Sequence, residues 1–87
     1  MIMIDDVKAV GRPFLDKLFD SPDYEPRGMF LCEETIDGQD IWTAVDNRNG
    51  DALTEEFMSK YAANMWLRGK KIRNRYGELL NKDGKRV

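Results

Sequence analysis

The sequence predicts an α+β fold in the order α-β-β-β-α: an N-terminal helix, a three-stranded antiparallel meander and a C-terminal helix. Three observations predict it. Apolar residues recur at helical spacing near the N-terminus, and two hairpin dipeptides, Asp37-Gly38 and Asn49-Gly50, punctuate a β-prone middle. A seven-residue apolar repeat runs through the last third.

The first helix is expected from Ile4, Val7, Val10, Phe14, Leu15 and Leu18, with Asp5 or Asp6 as its N-cap. Gly11 and Pro13 interrupt it, and Pro13, which lacks an N–H, predicts a kink or a restart. The helix should end near Asp20, because Ser21-Pro22-Asp23 and Glu25-Pro26-Arg27-Gly28 are turn chemistry. The meander follows as Met29 to Ile36, Ile41 to Val45 and Ala52 to Phe57, rich in β-branched and aromatic residues. Three strands need a cover for one face, which the flanking helices would supply.

Met58, Met65, Ile72 and Leu79 set the repeat of the last third, and Tyr61, Ala62 and Tyr76 widen the stripe. It predicts a helix from about 59 to 80 that bends or breaks at Gly69. Asn81-Lys82-Asp83-Gly84 would end it, leaving residues 82–87 as a frayed tail of a single domain, 1–87.

At 87 residues and 41% hydrophobic the chain supports one small core. It has no histidine, hence neither the commonest general base nor the commonest metal ligand. A single cysteine, Cys32, makes no internal disulfide, in keeping with a reducing cytoplasm, and no leader or membrane-length apolar run is expected. The turn after Val45 approaches a calcium loop, with Asn47, Asn49, Gly50 and Glu56 in register. Val45 stands where the first ligand should be, so a hairpin is the better reading. Neighbouring acids on a strand point to opposite faces, so neither Glu33-Glu34 nor Glu55-Glu56 makes a catalytic dyad. Cys32, Trp42 and Trp66 read as core. The expectation is a non-enzyme with no cofactor and no metal.

The net charge of −2 conceals a split. Residues 68–87 hold eight bases and two acids, +6, whereas residues 1–67 hold six bases and fourteen acids, −8. The acidic candidates for partner binding are Glu33, Glu34, Asp37, Asp40, Asp46, Asp51, Glu55 and Glu56. The basic candidates, on the expected last helix, are Arg68, Lys70, Lys71, Arg73 and Arg75. Such a helix would track phosphates or dock on an acidic protein groove.

Ile41-Trp42-Thr43-Ala44-Val45-Asp46-Asn47, then Gly50-Asp51, Thr54-Glu55-Glu56-Phe57 and a helix closing in Trp66-Leu67 resemble small uncharacterised proteins of phages and mobile elements. The resemblance covers residues 41–67. It implies a binding protein that blocks host machinery, anti-CRISPR inhibitors being one such class, with a Cas nuclease or its guide complex as partner. An acidic surface competes for the positively charged channels in which such nucleases hold nucleic acid. The alternatives are a small DNA- or RNA-binding protein using the basic segment, and a structural module that forms homodimers.

Overall fold

The computed structural model of the chain describes residues 7–80. A short strand β1 (Val7–Ala9) leads into helix α1 (Arg12–Asp20). Strands β2 (Gly28–Ile36), β3 (Gln39–Asn47) and β4 (Leu53–Phe57) follow, then helix α2 (Lys60–Leu67) and a small hairpin of β5 (Ile72–Arg73) and β6 (Leu79–Leu80). The first four strands form one sheet in the order β1-β2-β3-β4, with β1 parallel to β2 and the rest antiparallel.

This overturns the α-β-β-β-α order. Among the described residues the molecule is mostly β, with two short helices. Val7 belongs to a strand that α1 connects to β2, instead of to the first turns of a helix. Gly11 is the N-cap and Pro13 lies in the first turn, where a missing N–H costs nothing, so the Gly-Arg-Pro run starts the helix. The proposed cap at Asp5 or Asp6 and the tail 82–87 lie outside the described residues.

The long C-terminal helix is also absent. The Ser59 hydroxyl accepts from the Ala62 N–H to cap α2. Ten residues after Ser59, Gly69 takes φ +81°, the Gly69 N–H bonds Trp66 O and the Lys70 N–H bonds Met65 O. That pair of bonds is a Schellman termination, which the missing Cβ of glycine permits. Beyond it Ile72 pairs with Leu80 and Arg73 with Leu79 in a hairpin. The seven-residue repeat was therefore coincidental: Met58 and Leu79 are exposed, and the buried face of α2 is Ala63, Trp66 and Leu67.

The sheet is covered on both faces, which explains why Met29, Phe30, Leu31 and Cys32 are buried in succession where a one-sided meander would alternate. Phe30, Cys32 and Val45 pack against Leu15 and Leu18 of α1. Met29, Leu31, Ala44 and Phe57 face the other way, against Ala63, Trp66 and Leu67 of α2 and Leu80 of β6. Two buried asparagines tie the loops to this frame. Asn47 donates to Tyr24 O and Pro26 O and accepts from the Ala52 N–H. Asn74 accepts from the Tyr76 and Glu78 N–H groups and donates to Glu55 and Glu78. Among the described residues no helix is long and apolar enough to cross a membrane.

Candidate binding surface

The β2–β3 hairpin, residues 28–47, contains five acids and no base. Its two-residue turn has Asp37 at φ +53° and Gly38 at +79°, the pair of positive φ values a tight hairpin of this twist requires. Both arms outrun their neighbours. β1 pairs only with Met29, Phe30 and Leu31, and β4 reaches only Trp42 to Asp46. The distal third of the hairpin thus projects from the sheet.

Four of the predicted acids sit on that projection. Glu33, Asp37 and Asp40 are exposed, and none of the three is paired with a base among the described residues. Glu34 is half-buried on the α1 side, 3.7 Å from the Arg12 guanidinium. Thr35 donates its hydroxyl to Asp40 at 3.1 Å.

The other four acids do not extend this ridge. Asp46 lies six residues along β3 from Asp40, roughly 20 Å at strand rise. Burial pushes its carboxyl up, but hydrogen bonds from the Arg48 side chain and backbone, and the Arg48 charge, hold it below the usual carboxylate range overall. Asp51 is exposed beyond the β3–β4 turn. Glu55 and Glu56 point to opposite faces of β4 and hold the small hairpin: Glu55 accepts from Asn74, and Glu56 from Arg75 and the Tyr76 hydroxyl.

The basic candidates are not on a helix. Arg68 is the C-cap of α2, and Lys70 and Lys71 are exposed in the loop after Gly69. Arg73 donates to Gly77 O, while Arg75 pairs with Glu56 at 3.2 Å and lies over the Tyr76 ring. Arg75 therefore secures the small hairpin to β4 while Arg73 closes the hairpin's own turn, and the amphipathic stripe disappears.

Sequence reasoning missed a groove of about 410 Å³ at the base of the projection, on the α2 side of the sheet. Its floor is Leu31, Glu33 and Trp42. Ala9, Val10 and Gly11 form the wall where the chain leaves β1, and Lys60 at the start of α2 forms the other. Trp42, read as core, is half-buried and lines this groove. No local signal in the sequence announced it, because its walls come from four separate elements.

Glu33 and Glu34 lie on opposite faces of β2, and Cys32 is 1% exposed, its thiol pushed up by burial and by the Glu34 charge. Among the described residues no three His, Cys, Asp or Glu side chains gather as a metal site needs. No family model matches the chain, and neither a curated protein nor a solved structure is significantly similar to it.

Proposed function

We propose that the chain is a non-enzymatic binding protein of the anti-CRISPR type, which occupies a positively charged nucleic-acid-binding surface of a host defence nuclease. One observation carries the reading: a projecting hairpin with five acids and no base, three of the acids exposed and without a cationic partner among the described residues. Carboxylates on a projecting two-stranded arm compete with phosphates for lysines and arginines, and such contacts weaken as salt screens them. The phage-like pattern of residues 41–67 favours a defence nuclease as the owner of that surface.

The test is DNA binding and cleavage by a panel of purified RNA-guided nucleases, with and without the protein. The expected result is that one nuclease loses target binding in the protein's presence. The triple variant Glu33→Gln, Asp37→Asn, Asp40→Asn should inhibit at least tenfold less well, and 0.5 M salt should relieve inhibition. Full potency of the triple variant would refute the reading. So would inhibition of none, or tight binding of duplex or single-stranded DNA by the protein itself.

A further inference from the structure

We infer that the edge of β2 from Glu33 to Ile36, which no described strand covers, together with the groove beside it, docks an extended basic segment of a partner protein, which joins the sheet as a further strand. This deepens the proposed function in one respect only, by stating how a cationic protein is held.

The edge follows from the pairing register. The Val10 N–H bonds Leu31 O, so the odd-numbered residues of β2 turn their backbone groups toward β1 and the even-numbered ones toward β3. The chain then leaves at Gly11 to begin α1. The N–H and C=O groups of Glu33 and Thr35 therefore face an edge that no described strand covers. Such an edge accepts an added strand through main-chain hydrogen bonds, while side-chain contacts supply the selectivity.

The groove supplies those contacts. Alternate side chains of an added strand point to the α2 side. One of them meets the Leu31 and Trp42 floor, in a space of about 410 Å³ that lies within the range of ligand sites. Its neighbour two residues away meets Glu33 and Asp40, which share that face with Trp42. Lys60 closes the opposite wall and repels a base there. The occupant is thus an apolar residue with a base two positions away, on the side of Glu33 and Asp40. A second copy is the wrong occupant, since a two-fold contact would set this acidic edge against itself, and like charges opposite one another destabilise strand pairing.

The probe is a capped Arg-Thr-Leu-Thr-Arg peptide, whose pattern reads the same in both strand directions, with Glu-Thr-Leu-Thr-Glu as its counterpart. Titrated into nitrogen-15-labelled full-length protein, the basic peptide should shift the amides of Glu33 and Thr35 and the Trp42 indole saturably, and the acidic one should not. Thr35→Pro removes an outward N–H that the internal ladder does not use, so it should keep the fold and weaken binding at least tenfold. Glu33→Lys should do the same, and Lys60→Glu should tighten binding several-fold. Undiminished affinity in Glu33→Lys, or in a folded Thr35→Pro, would overturn the inference. Shifts confined to other residues would too, as would concentration-dependent shifts of these amides without peptide, which would give the edge to a second copy. If the peptide binds as described and no nuclease is inhibited, the proposed function falls and the docking site stands. If a nuclease is inhibited equally by Thr35→Pro, the docking site falls and the function stands.

Discussion

Asn47→Ala is expected to be among the most damaging single polar truncations in this chain. Asn47 is fully buried at the end of β3, and its side-chain amide donates to the carbonyls of Tyr24 and Pro26, the latter at 2.8 Å. Its oxygen accepts from the Ala52 N–H at 3.0 Å. Three bonds therefore hold the loop before β2 and the turn before β4 to one point. At about 1 kcal/mol net for each bond, the substitution should cost about 3 kcal/mol. Partial rehydration of the Tyr24 carbonyl lowers this figure, and any carbonyl or N–H left dry raises it. For a domain of this size each kcal/mol moves Tm by about 4–8 °C, so a fall of about 12–24 °C is expected. Thermal and urea unfolding followed by circular dichroism measure it, with Asn49→Ala as the control, since Asn49 is an exposed residue of the same turn and should change stability by less than about 0.5 kcal/mol. Asn47→Asp keeps the acceptor for Ala52 but sets a carboxylate against two carbonyls, so it should be no better than alanine at pH 7. A loss below about 1 kcal/mol for Asn47→Ala would show that the loops are held by something else.

Two further outcomes follow from the same geometry. Leu80→Ala should cost about 2–5 kcal/mol in urea unfolding, because Leu80 is fully buried in the core under α2; a near-neutral result would detach the small hairpin from that core. Arg48→Met should remove a stabilisation that depends on pH. The folded Asp46 carboxyl sits below its ordinary range, so its share is complete above the unfolded value of about 3.9 and is lost as pH falls through the folded value. The stability gap between wild type and Arg48→Met should be flat near neutrality and close in acid, whereas a gap that widens in acid would contradict the pairing.

What the sequence determined by itself is local. Asp37-Gly38 and Asn49-Gly50 mark their turns because Asp37, Gly38 and Gly50 take positive φ, which few residues accept, and Ser59 and Gly69 carry cap chemistry within one turn of α2. The acidity of the hairpin is likewise a property of the string. The tertiary structure decided the rest. Val7 and Val10 fit a helical stripe as well as an extended segment, and only the exposed edge of β2 made the first of them a strand. Ile72 and Leu79 continued a seven-residue repeat, but Gly69 reversed the chain and Glu55 and Glu56 supplied partners for Asn74, Arg75 and Tyr76. Five cations that periodicity assigned to one helix, three of them (Arg68, Lys71 and Arg75) to one face of it, were separated by that reversal. Periodicity records which residues prefer company, and only packing determines which company they keep, because the burial of each face depends on elements far away in the chain.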